Sequence, residues 1–348
     1  ADFRERPVSH MFIRPIFALT LLGAFCGFVS AAGGGTMSSD AEAREVRVWL
    51  TRIHEAAGKQ NFQGTFVVSG GGAVSSARIA HYCEGNNQYE RIESLDGQAR
   101  HVFRLNDVVH TVWPASRVAL VEQAQSMTSF PALLQGGVDR LAEFYEVNPQ
   151  GSERGAGHEA NVLMVQPRDA NRFGYRLWSD KASGLLLRAD VVNDRNEVLE
   201  TSAFSEVTIG VKPQLDSVTV PMRKLDGYRV IRPALTATRL DAEGWSMRQL
   251  VPGFREVSCV KRPMESPTSN SQEASAEPVL QTIFSDGLTY VSLFIEPFNA
   301  QRHQRSMRTA VGATQTLMRR HGDWWVTVVG DVPPATLLMF ANGLERKK

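Results

Sequence analysis

GNNQYERIESLDGQARHVFRLNDVVHTVWPASRVALVEQ, residues 85–123, holds four short runs rich in β-branched and aromatic residues, at 88–95, 98–105, 108–113 and 117–123. The breaks between them are turn chemistry: Gly85-Asn86-Asn87, Asp96-Gly97, Asn106-Asp107 and Pro114. Asp-Gly between alternating segments is a strong local hairpin signal. The spacing leaves no room for crossover helices, so these runs predict an antiparallel meander. Upstream, 62–69 and 74–83 extend the series across Gly70-Gly71-Gly72. Before them, Ala43, Val46, Leu50, Ile53 and Ala57 recur at helical spacing beside Trp49, and Gly58 is expected to stop the helix. With Ser39 and Glu42 as a capping box, this is a helix with one apolar face, suited to lie on a sheet.

Downstream, Leu133, Leu134, Val138, Leu141 and Phe144 predict one or two short helices around Gly136-Gly137, and strands resume at 160–166, 172–178, 185–192 and 198–209. Residues 211–234, punctuated by Pro213, Pro221 and Pro233, read as a linker with some helix. A second unit, 235–345, has candidate strands at 245–250 and 256–260. Its residues 261–278 are rich in Ser, Pro, Glu and Asn and predict a mobile loop. A hairpin follows around Asp286-Gly287, then a strand at 309–318 turning at 320–323 into 324–329. A final helix starts at Pro333-Pro334 and ends at Gly343. The expected organisation is a β domain over 38–210, a linker and a smaller C-terminal domain.

The N-terminus has an export signature. Arg14 precedes an apolar run at 15–29, and Val29-Ser30-Ala31-Ala32 supplies small residues. This predicts a signal peptide over 1–32, cleaved near Ala31/Ala32, with Met11 as the native start and 1–10 upstream of it. The run falls short of the roughly 20 apolar residues of a membrane span. Phe25 before Cys26 is not the small residue that a lipoprotein signal requires. Removing 1–31 leaves 35 basic and 35 acidic side chains, yet 223–348 carries 17 Lys/Arg against 12 Asp/Glu. That net +5 suits an acidic partner or an anionic headgroup. Cys83 and Cys259 fall in different units, and both the paired and the free state are compatible with an exported chain.

Catalytic chemistry is sought and not found. There is no G-x-S-x-G, CxxC or HExxH. Gly70-Gly71-Gly72 lacks the Gly-Lys-Ser/Thr of a phosphate loop, and Gly155-Ala156-Gly157 opens no long helix. His81, His101 and His110 fall on neighbouring strands near Cys83 without metal-ligand spacing, and read as half-buried side chains. No enzyme, cofactor or metal is expected. Net zero charge and the lack of Arg/Lys interleaved with stacking aromatics argue against nucleic acid. Strand aromatics are core residues or, on a curved open sheet, the lining of an apolar cavity.

A resemblance covers nearly the whole chain beyond the signal peptide. Leu250-Val251-Pro252-Gly253-Phe254, Ile283-Phe284-Ser285-Asp286-Gly287-Leu288 and Gly330-Asp331-Val332-Pro333-Pro334-Ala335-Thr336 are similar to the MucB/RseB family. So are Asn61-Phe62-Gln63-Gly64-Thr65-Phe66, Arg176-Leu177-Trp178 with Gly184-Leu185-Leu186, and Leu199-Glu200. The resemblance implies an α+β protein: a large LolA/LolB-like half-open antiparallel β-barrel with helices, and a smaller C-terminal α/β domain. It implies a periplasmic regulator that binds the periplasmic part of a membrane anti-sigma factor of the RseA/MucA type. Binding would shield that factor from its first proteolytic cut and restrain the sigma-E envelope-stress response. Lipid or lipopolysaccharide would release the shield, and homodimers or higher oligomers are implied. Candidate lipid contacts are Phe66, Val68, Ile79, Tyr82, Phe103 and Trp113. Candidate partner contacts, from the basic excess, are Arg302, Arg305, Arg308, Arg319 and Arg320. The alternative is a lipid or lipoprotein carrier of the LolA/LolB type, which needs no second domain.

Overall fold

The computed structural model describes residues 39–123, 130–134, 138–263 and 278–347. The expected signal peptide, the capping-box side chains and nearly all of the expected loop at 261–278 lie outside the described residues.

The first helix, α1 (Ser39–Lys59), leads into strands β1 (Phe62–Gly70), β2 (Ala73–Glu84), β3 (Asn87–Ser94), β4 (His101–Leu105), β5 (Val108–Trp113) and β6 (Val118–Gln123). Helix α2 (Val138–Phe144) runs directly into β7 (Tyr145–Gly155). Then come β8 (His158–Pro167), β9 (Gly174–Asp180), β10 (Leu186–Val192) and β11 (Val198–Ile209). Two antiparallel meanders, β1 to β6 and β7 to β11, join through the long β1–β11 pair into one sheet. The sheet ends on β7 at one side, and among the described residues no strand closes it into a barrel. Its curled face is covered by α1, whose Leu50, Ile53 and Ala56 are buried while Arg44, Glu45 and Arg47 stay on the solvent side. Each such Leu or Ile contributes roughly 1.5–3 kcal/mol of apolar burial.

The linker contributes more structure than expected. Helix α3 (Asp216–Arg223) lies on the outer face of the sheet, and β12 (Arg229–Ile231) adds to the β6 edge in parallel. Val218 is fully buried there against Tyr82, Tyr89, Phe103 and Val112.

The C-terminal part comprises β13 (Thr236–Ala237), β14 (Trp245–Met247), β15 (Arg255–Arg262), β16 (Val279–Ser285), β17 (Tyr290–Pro297), β18 (Met307–Val311), β19 (Thr314–His321), β20 (Trp324–Gly330), α4 (Pro334–Gly343) and β21 (Leu344–Arg346). Seven strands form an antiparallel sheet in the order β13-β15-β16-β17-β20-β19-β18. Helix α4 covers one face, where Phe340 meets Phe254 and Phe284 at 5.4 and 5.3 Å. The continuous strand expected at 309–318 is two strands. Gly312, at φ 59°, makes the turn between them, a conformation that side chains with a Cβ disfavour.

Two local expectations need correction. Asp96-Gly97 does not form a two-residue hairpin, because the Asp96 carboxylate accepts hydrogen bonds from the Ser76 N–H and hydroxyl, both at 2.5 Å. The connection is a longer loop closed by Ser94 N–H donating to the Arg100 carbonyl at 3.0 Å. Strand β7 has no counterpart among the expected strands. It carries Pro149 and Gly151 around a bulge between Pro149 and Ser152, a common way to protect a sheet edge.

Candidate functional site at the seam of the two sheets

Alternation along the meander decides which side chains share a face. Phe66 pairs with Ala77 and Phe204, Val68 with Ser75 and Ser202, and Ile79 with Ile92. These residues look into the curl of the N-terminal sheet. A cavity of about 690 Å³ lies there, floored by Phe66, Val68, Ile92 and Trp113. Leu288 and Tyr290 of the C-terminal part complete it, so the space belongs to both sheets.

The six candidate lipid contacts do not share this cavity. Phe66, Val68 and Trp113 line it. Ile79 is on the same face but 1% exposed, sealed in the core with α1 residues. Tyr82 and Phe103 point to the opposite face and are buried beneath α3. The reason is the period of two: Tyr82 faces away from Ile79, and Tyr82 and Phe103 lie on the outer side of the register. Sequence reasoning missed Ile92, Phe130, Leu133 and the C-terminal Leu288 and Tyr290. Phe130 packs 5.9 Å from Phe66 and 5.2 Å from Phe204. Strand parity relative to Phe66 identifies Ile92; nothing local identifies the residues that arrive from the other sheet.

The seam beside the cavity is held by a buried charge network. The Asp286 carboxylate accepts hydrogen bonds at 2.7 Å from the Arg172 Nε and from the Tyr145 hydroxyl. Its other oxygen accepts from Leu288 and Thr289 N–H, both at 2.9 Å. The Arg172 guanidinium also reaches Asp169 and the Pro252 carbonyl, and lies 4.6 Å from the Phe144 ring and 5.0 Å from the Phe254 ring. Burial first, and then the Asp286 charge, hold the Tyr145 phenol well above its ordinary pKa, so it remains a donor. At the cavity wall, burial raises the pKa of both Glu200 and Asp331, and Asp331 adds to the effect at Glu200. Glu200 accepts from Ala313 N–H at 3.4 Å, and the Thr314 hydroxyl donates to Asp331 at 2.6 Å. Gly70 and Gly312 meet here so closely that a Cβ on Gly70 would stand 2.9 Å from the Gly312 Cα.

The five candidate arginines also divide. Arg302 is ion-paired to Glu296 at 2.6 Å, and Arg320 stacks over Phe298 at 4.0 Å. Arg319 donates to Asn342 Oδ1 and the Ala341 carbonyl at 2.7 and 2.5 Å, fastening the end of α4. Arg305 and Arg308 are exposed, with no acidic partner among the described residues.

The remaining chemistry-bearing residues are accounted for locally. The Cys83 thiol donates to the Gly58 carbonyl at 2.9 Å, and Cys259 is free in the C-terminal core, its pKa pushed up to about 12 by burial and then by Glu256. His81 faces the curl, whereas His101 lies 6.2 Å from Phe103 on the outer side, so register separates them. Among the described residues no His/Cys/Asp/Glu group is arranged to hold a metal.

Comparison with known proteins places these features. The model of the MucB/RseB N-terminal domain matches residues 45–224, and that of the MucB/RseB C-terminal domain matches 239–345. The sigma factor AlgU regulatory protein MucB of Pseudomonas aeruginosa is 30% identical over 303 residues, covering 85% of this chain and 89% of the relative. The sigma-E factor regulatory protein RseB of Escherichia coli K12 is 24% identical over 299 residues, with the same coverage, 85% and 89%. A solved complex of P. aeruginosa MucA and MucB is similar at a TM-score of 0.65 and 27% identity, covering 87% of this chain and 99% of that one. A crystal structure of MucB gives 0.64 and 25%, covering 87% and 98%.

Proposed function

We propose, because this chain belongs to the MucB/RseB family, that it is a periplasmic, non-enzymatic regulator that binds the periplasmic part of a membrane anti-sigma factor of the RseA/MucA type. Binding shields that factor from its first proteolytic cut and so restrains a sigma-E-type response. Lipid or lipopolysaccharide relieves the restraint, and the protein self-associates into homodimers or higher oligomers. The family match supports the partner, since a MucB of similar fold has been solved with MucA.

The observation that carries the regulatory part is the ownership of the cavity. An acyl chain in it touches Phe66, Val68 and Trp113 on one sheet and Leu288 in the β16–β17 turn of the other. Its occupancy is therefore sensitive to how the sheets dock. Any partner that also favours one docking is coupled to the lipid by the same free energy in both directions. Arg100 and Gln98 at the cavity rim suit a polar or anionic headgroup. A simple carrier needs only the first sheet.

The function is tested by capture. The chain lacking residues 1–32 is immobilised and exposed to a MucA-type periplasmic segment, and protection of that segment from proteolysis is measured. Saturable capture with protection supports the regulator; recovery of lipoproteins alone favours a carrier. For the cavity, Ser202→Trp places an indole between Val68 and Ala189, its cross-strand neighbours. Affinity for a fluorescent acyl-chain probe is expected to fall at least tenfold, roughly 1.4 kcal/mol or more. Unchanged probe affinity in a folded variant would remove the cavity from the account.

A further inference from the structure

We propose that the outer edge of β18 (Met307–Val311) is a strand-docking site that takes an extended acidic peptide as an additional strand of the C-terminal sheet. The proposal specifies how the partner of the regulator reading is held, and it rests on that reading.

The first observation is an unguarded edge. β18 ends its sheet, and among the described residues nothing pairs with its outer side. All five of its residues are exposed, Met307 to 40% and Val311 to 61%. Free strand edges are templates for added strands, and proteins usually blunt them with prolines, bulges, brevity or inward charges. The other edges follow that rule: β13 has two residues, β12 has three, and β7 has Pro149 and a bulge. β18 has no proline, no bulge and no register shift along its five pairs with β19; its one protective feature is the charge of Arg308, which repels a basic strand and not an acidic one.

Hairpin geometry says which groups are offered. Val311 and Thr314 close a turn of two residues, so they form a hydrogen-bonded pair, and Thr309 and Met307 do so in alternation. The N–H and C=O of Arg308 and Ala310 therefore point outward. Beside them runs a groove of about 660 Å³, with Phe294, Met307, Met318 and Trp325 along it and Arg302 and Arg305 at its border; Glu296, also in the lining, is neutralised by its ion pair with Arg302 at 2.6 Å. Such a groove accepts alternate side chains of an added strand, the usual source of specificity in strand addition.

Charge selects the occupant. Residues 297–322 contain five arginines and no aspartate or glutamate. Arg305 and Arg308 stand on either side of the start of the strand without acidic partners among the described residues. An incoming segment gains from acidic residues, and a basic one is repelled. The edge ends at Gly312, against the β1–β2 turn and one residue from Ala313, which bonds to Glu200. A strand docked here lies next to the seam around the cavity.

The test uses the chain lacking residues 1–32 and the MucA periplasmic segment, with affinity measured by calorimetry. Ala310→Pro removes an outward N–H and leaves the β19 pairing in place. Arg305→Glu with Arg308→Glu is a second, purely exposed change. The unaltered chain is expected to bind, Ala310→Pro to weaken binding at least tenfold, and the double variant to weaken it at least tenfold with a shallower dependence on salt. Amide exchange at Arg308 and Ala310 is expected to slow on binding. Full-strength binding by both variants, with no slowing at these amides, overturns the strand site and leaves the regulator reading standing. No binding by the unaltered chain overturns both.

Discussion

Arg172→Ala is expected to lower the unfolding free energy by about 3–5 kcal/mol, the usual cost of leaving a buried charge without its partner. Both side chains of the Arg172–Asp286 pair are fully buried. Removing the guanidinium strands the Asp286 carboxylate with only the Tyr145 hydroxyl and two backbone N–H groups. It also strips the cation from between Phe144 and Phe254. Because Arg172, in the β8–β9 connection, and Tyr145, on β7, belong to the N-terminal part and Asp286 to the C-terminal part, the loss falls on their docking. The expected signature in urea is an earlier, broader transition, with the C-terminal part separating first. Combining Arg172→Met with Asp286→Leu should recover much of the loss, since apolar pairs of similar volume often replace buried ion pairs without penalty. A single sharp transition with an unchanged midpoint in Arg172→Ala would show that the network does not hold the seam.

The second large effect is acid sensitivity at His81. Its ring is 4% exposed, Nδ1 lies 3.2 Å from the Gln60 carbonyl, and the Phe62 ring is 5.2 Å away. Burial, and then the Arg104 charge, lower its pKa from 6.5 to about 4. The folded chain thus keeps His81 neutral while the unfolded chain takes up a proton below pH 6.5. Stability is lost as pH falls from about 6.5 to about 4, and at ~1.4 kcal/mol per pH unit the loss is about 3 kcal/mol. Glu90, its cross-strand neighbour, acts in the opposite direction, because burial raises its pKa. Comparison with His81→Gln isolates the histidine: unfolding free energies of the two chains should diverge as the pH is lowered from neutrality to about 4, the native chain losing more. Parallel curves would mean that His81 titrates normally in the fold.

Much of the N-terminal sheet was legible because its turns are written locally. Gly70-Gly71-Gly72, Gly85-Asn86-Asn87 and Asn106-Asp107 each reverse the chain between strands of alternating character. What was not legible depends on partners far away in sequence. β7 hides because an edge strand with Pro149, Gly151 and a run of exposed polar residues carries no alternating pattern. The role of α3 hides because Val218 and Leu215 look like linker residues until the outer face of β3 and β4 is known to need cover. The same ignorance assigned Tyr82 and Phe103 to a cavity on the wrong side of the sheet. Phe66, Val68 and Trp113, which line the cavity, were evident as apolar strand residues. Leu288 could not be placed beside them, because it arrives from the second sheet. Among the arginines, composition marked residues 302–320 as a basic stretch. It could not show that Arg319 is committed to α4 while Arg305 and Arg308 are free of acidic partners among the described residues.

The most direct measurement is the affinity of the chain lacking residues 1–32 for a MucA-type periplasmic segment, by calorimetry, with and without a saturating acyl lipid. Coupling through the shared cavity predicts weaker segment binding in lipid, and lipid binding weakened by the same factor when the segment is present. Equal affinities with and without lipid, while the lipid demonstrably occupies the cavity, would contradict a switch built on the seam.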